Sequence, residues 1–184
     1  MTTMRDELTV RAYHEAGHAV AHWLSNIGVK FVSLGKSDGK GSRVETADRL
    51  AIDELTAMLL GQQMLIIAWA GWAADLAHLK SVTPHASPYG IMGWRSDREN
   101  GLQILLKMGL KESSEGFYQE EARLLLQKPD VWEKVVAVAE TLMSHDRLSR
   151  PQFGGLMQGL DPLSSAYWYD LKQRHDSWWA EHFA

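Results

Sequence analysis

Residues 6–27 read DELTVRAYHEAGHAVAHWLSNI, and this stretch decides the fold. Tyr13, Ala16, Val20, Trp23, Leu24 and Ile27 fall mostly at steps of three and four. That spacing predicts an amphipathic helix from about Asp6 to about Ile27, with one apolar stripe turned to a core. The same helix carries His14-Glu15-Ala16-Gly17-His18, an HExxH motif. Four residues on a helix make about one turn, so both imidazoles share a face. Two nitrogens placed that way can each reach one zinc ion at about 2.0–2.1 Å. Glu15 borders the same site. It can take a proton from a zinc-bound water, whose pKa the metal lowers towards about 7, and deliver it to the leaving amine. Ala16 and Gly17, between the ligands, are small enough to let another element approach closely. His22 continues the series 14, 18, 22, either as a surface histidine or as a donor behind the ligands.

Outward from this helix, Val29–Leu34 (VKFVSL) reads as a strand, rich in β-branched and aromatic residues. The glycine-rich GKSDGKGS then predicts a turn, with a second strand near Arg43–Glu45 closing a hairpin. A long apolar helix follows, from about Ala51 to Leu79. Residues 80–96 read as a loop. Ser96 with Glu99 three residues on forms a capping-box pattern that predicts the start of the next helix. Further helices are expected at about Glu115–Gln127, Asp130–Ser144 and Arg150–Gly159. The tail from Asp161 onward is aromatic and predicts a last helix over Ala166–Phe183.

Composition narrows the function. The 184 residues carry a formal net charge of −4 and no basic block, which argues against nucleic acid as a partner. There is no cysteine, so disulfides, thiolate metal sites and cysteine nucleophiles are excluded. Any metal must be held by His, Asp, Glu or backbone oxygen. The N-terminus shows no basic-then-apolar signal pattern, and a cytoplasmic location is expected. Residues 55–74 are uncharged over a length that could span a membrane. Thr56, Gln62, Gln63 and two glycines within them favour a buried core helix instead. Residues 35–37 read Gly-Lys-Ser, but position 30 is Lys rather than the glycine a P-loop needs, and no helix pattern follows.

The string AYHEAGHAV at residues 12–20 resembles the peptidase domain of the FtsH-type AAA zinc metalloproteases. The resemblance extends loosely over residues 10–160, through the strand VKFVSL, the small-residue patch in AWAGWAADLA, and the segment from Glu120 to Phe153. It implies a mainly α, zincin-like domain over residues 1–160 with a small hairpin or edge strand beside the metal helix. Residues 161–184 would form a helical tail packed on the same domain. It also implies Zn²⁺ as cofactor and an aspartate as third ligand, and the matching position is Asp97, in GWRSDRENGLQIL. Read from the residues alone, Asp97 fits a three-ligand catalytic site but also suits a helix N-terminus, where an acid complements the dipole. Asp75, His78, His85 and Glu99 remain alternative ligands. The strand resembles the family's substrate-holding edge strand, so Val32, Ser33 and Leu34 are candidate peptide contacts by strand addition. Trp94 and Tyr89, in the loop before Asp97, are candidate pocket residues.

Only thirteen residues precede His14, so the family's ATPase and membrane anchor are expected to be absent and the activity independent of ATP. Two readings result. The first is a zinc metalloendopeptidase acting on peptide or unfolded protein substrates. The second is a non-catalytic partner-binding or regulatory domain on a peptidase-like fold. Homo-oligomer formation is compatible with either, through the aromatic tail.

Overall fold

A computed structural model describes residues 6–37, 39–47, 53–85 and 94–183, with the Trp94 side chain outside that set. The chain is mainly helical, with a small three-stranded antiparallel sheet. The first helix, α1 (Glu7–Leu24), starts at Asp6, whose carboxylate accepts from the Thr9 backbone N–H at 2.8 Å. This satisfies one of the amides left free at a helix start. Strands β1 (Val29–Ser33) and β2 (Arg43–Thr46) form the expected hairpin, with Val32 opposite Val44 and Ser33 opposite Arg43.

Helix α2 (Glu54–Val82) is the spine of the fold. It packs against α1, α3 (Trp94–Lys107), α4 (Glu115–Leu126) and α7 (Ser165–Phe183). Its start is fixed by Asp53, which accepts from the Thr56 N–H at 2.7 Å. It is long and apolar enough to cross a membrane, and 61% of its most apolar window is buried inside the protein. Leu65, Ile66, Trp69, Ala70 and Ala74 are almost fully enclosed. Helices α5 (Pro129–His145) and α6 (Arg150–Leu156) complete the bundle. Helix α7 lays Trp168, Leu171 and His175 into the core.

Three expectations are corrected. A third strand, β3 (Arg147–Ser149), pairs antiparallel with β1, so the sheet order is β2-β1-β3. The strand expected at an edge is therefore central, and β2 and β3 are the edges. The capping box at Ser96 does not form, because α3 already begins at Trp94 and Ser96 lies within it. The Glu99 carboxylate instead accepts from Arg95 Nε one turn back, at 3.1 Å. Helix α2 also runs to Val82, into the segment expected to be a loop. The remainder of that loop, including Tyr89, lies outside the described residues.

The hairpin is fastened to the helices by Asp146. This residue ends α5 at φ 59°, and its carboxylate accepts from the backbone N–H groups of Lys36 and Ser37 at 3.1 and 2.9 Å. Its backbone carbonyl accepts from Leu34 N.

Candidate metal centre

Two helices bring the chemistry together. His14 and His18 project from α1, and Asp97 comes from the first turn of α3. His14 Nε2 lies 3.1 Å from Asp97 Oδ2, His18 Nε2 lies 3.2 Å from the same oxygen, and the two Nε2 atoms are 3.2 Å apart. A tetrahedral zinc with bonds of about 2.0–2.1 Å sets its ligand atoms about 3.3–3.4 Å apart. The three atoms are thus spaced almost as one face of that tetrahedron requires. Asp97 Oδ2 is buried, with the two imidazole nitrogens as its close polar neighbours. Three potential electron-pair donors converging this closely fit a shared cation, or a proton in its place. Two imidazoles and a carboxylate, with no thiolate, form a donor set suited to zinc among the transition metals.

The surroundings fix the ligands in place. His18 Nδ1 lies 2.8 Å from the backbone carbonyl of Ile67 on α2. A carbonyl can only accept, so Nδ1 carries a proton, and whenever the ring is neutral its lone pair is on Nε2, facing the cluster. Helix α2 comes this close because of two glycines. A Cβ on Gly71 would sit 2.8 Å from His14 Nε2 and closer still to His18 Nε2. A Cβ on Gly17 would press on the Ala70 carbonyl and lie 2.6 Å from Ala74 Cβ. The close approach expected at Ala16-Gly17 is therefore met by α2. Gly71 carries no sequence signal of its own beyond a place in a small-residue run.

Charge follows the geometry. Burial works against a charged Asp97, but His14 and His18 outweigh it and hold the carboxyl below the usual range. Burial likewise opposes protonation of His18, yet Asp97, Glu15 and the Ile67 carbonyl raise it to about 9. A proton on His18 would thus supply part of the positive charge that a bound cation brings. His22, one turn further along, is depressed to about 3 by burial and then by the His18 charge.

The rival ligands stand apart from the cluster. The His78 ring stacks on Tyr13 with centroids 3.8 Å apart. Asp75 is buried on α2, His85 is exposed, and Glu99 is occupied with Arg95. Glu15 is 6% exposed and lines the same cavity as the three ligands.

That cavity, of about 750 Å³, is a groove. Its walls are α1 from Val10 to His22 and α3 from Ser96 to Lys107, and α2 contributes Met64, Ile67 and Ala68. Twelve residues of helix make a wall about 18 Å long, room for about five residues of extended peptide. The rim holds Ser42, Arg43 and Val44 of the hairpin. Val32, Ser33 and Leu34 do not line it. Each is almost wholly buried, because β2 and β3 cover both edges of their strand. Among the described residues, β2 pairs as a strand with β1 alone and is an edge of the sheet, and its first residues border the groove. Compared with known proteins, the chain matches no family model and no curated sequence.

Proposed function

We propose that the protein is a zinc-dependent endopeptidase. The observation that carries this reading is the convergence of His14, His18 and Asp97 at tetrahedral spacing, beside buried Glu15, in a groove long enough for a peptide. Zinc bound there supplies a Lewis acid that polarises the scissile carbonyl and makes a water acidic near neutral pH. Glu15 holds the proton removed from the attacking water and passes it to the leaving nitrogen. The Ile67 carbonyl keeps the His18 ring in register, and ionised Asp97 offsets part of the positive charge. The substrate backbone lies along the outer edge of β2, beside Ser42–Val44, as an added strand. This gives β2 the role that sequence reading assigned to Val32–Leu34.

On the same reading the fold is zincin-like and related to the FtsH-type peptidase domain, with α2 as its core helix. The test is metal content together with one substitution. Purified protein should hold about one zinc per chain. Glu15→Gln should keep that zinc and lose cleavage of casein or unfolded peptides by about 10²–10⁴-fold. A Glu15→Gln protein that still cleaves would remove Glu15 from the mechanism, and wild type that takes up no zinc on reconstitution would remove the peptidase.

A further inference from the structure

One end of the groove is built for more than a peptide backbone. Helix α2 serves as a ruler for its two walls. On one side His18 meets the Ile67 carbonyl, and Gly17 meets Ala70 and Ala74. On the other, the Trp69 ring lies against Gly101 and the Met108 side chain against Gly61. Both α1 and α3 therefore run antiparallel to α2 and parallel to each other. Going from His18 to His22 moves about 6 Å in the same direction as going from Asp97 towards Lys107. His22, Met64, Ile104 and Lys107 all line the groove, each on the side of the metal centre towards this end.

The His22 side chain is 9% exposed, its Nδ1 is buried without a hydrogen-bond partner, and no hydrogen bond of its ring occurs among the described residues. A buried polar nitrogen left unpaired is costly, and a bound ligand relieves that cost. The charges of the groove are also sorted. Its two acids, Glu15 and Asp97, belong to the metal centre, while its other charged residues, Arg11, Arg43 and Lys107, are basic. Arg11 is paired with Glu7, and Arg43 donates to the Gly41 carbonyl and lies over the Phe31 ring. Lys107 has no ion pair among the described residues.

We propose that this end is a specificity subsite for a substrate side chain ending in a carboxylate, such as glutamate. The methylene stem lies between Met64 and Ile104. The carboxylate meets the Lys107 ammonium and the ring N–H of His22. The inference rests on the peptidase reading for its substrate but is decided separately.

The test uses zinc-loaded protein and fluorogenic peptides carrying Glu, Gln, Leu or Lys at each position in turn. At one position wild type should prefer Glu over Lys by about tenfold, gaining an attraction and avoiding a repulsion. K107Q should flatten that preference and K107E should invert it, both with unchanged zinc content. His22→Ala should weaken Glu and Gln peptides more than Leu peptides. Equal cleavage at every position, or a Glu preference that survives in K107E, overturns the subsite and leaves the peptidase standing. If no peptide is cut, the peptidase reading falls. Fluorescence anisotropy with the same peptides then decides the subsite: tighter binding of Glu than Lys peptides, inverted in K107E, sustains it, and equal binding ends it.

Discussion

Gly71→Ala adds one methyl group, and its effect can be worked from the structure. On solvent-exposed helix Gly→Ala stabilises by about 0.5–1 kcal/mol, so any loss at this position comes from its surroundings. The new Cβ would sit 2.8 Å from His14 Nε2 and nearer to His18 Nε2. Non-bonded contact needs about 3.5 Å, so at least one imidazole must retreat by roughly 0.7 Å or more. Metal–ligand distances tolerate about 0.2 Å, and one ligand is therefore lost. Binding free energies for four-ligand zinc sites of about 10–16 kcal/mol give roughly 3 kcal/mol per ligand, or more than a hundredfold in affinity. The assay is zinc titration against a competing chelator, with circular dichroism to confirm the helices. Gly61→Ala on the same helix is the control, because the atoms nearest its Cβ belong to the flexible Met108 side chain, which can move aside. If Gly71→Ala binds zinc within about threefold of wild type, the imidazoles do not bind metal from the positions described.

Other outcomes are equally specific. Asp97→Ala should cut zinc stoichiometry well below one per chain by mass spectrometry, whereas Asp75→Asn and His78→Phe should not. The metal-free protein should be most stable near pH 6.5. His22 is depressed from 6.5 to about 3, so its contribution is lost as pH falls below 6.5; His18 is raised from 6.5 to about 9, so its contribution is lost as pH rises through 9. Zinc replaces the His18 proton, so thermal melts with and without chelator should show the alkaline decline in the metal-free sample alone. Tyr118→Phe removes the hydroxyl that donates to buried Gln62 Oε1 at 2.9 Å. It should cost about 1–3 kcal/mol in urea denaturation and leave zinc affinity unchanged. Asp146→Ala loses two hydrogen bonds to the hairpin and puts alanine at φ 59°, for about 2–3 kcal/mol by the same measurement.

What could be read in advance was local. The stripe on α1 places His14 and His18 on one face because helix periodicity alone settles that, and the hairpin follows from a β-branched run ahead of a glycine turn. Strand β3 was not legible. Arg147-Leu148-Ser149 is too short for a propensity signal and is held extended by pairing with Phe31, Val32 and Ser33, over a hundred residues away in sequence. Missing it made β1 look like an edge and sent the substrate contacts to Val32–Leu34 instead of Ser42–Val44. The Ser96–Glu99 pattern had the right letters, yet α3 begins two residues earlier and Arg95 takes the glutamate. Gly71 and the Ile67 carbonyl were invisible for a related reason. Their importance comes from which helix lies against α1, and no local pattern records that.

Helix α2 serves the site and the core at once. The Ile67 carbonyl and Gly71 face the metal centre, while Leu65, Ile66 and Trp69 are enclosed in apolar packing. The site is thus shaped by apolar packing between helices, unlike a zinc finger, in which the metal stands in for a core. On the proposed zinc reading, acquisition of metal would be a late event in the life of the chain: folding would yield a finished vessel, to be filled afterwards. An ion could then be withdrawn and exchanged while the vessel stays intact, and supply as well as ligand chemistry would set which metal it carries.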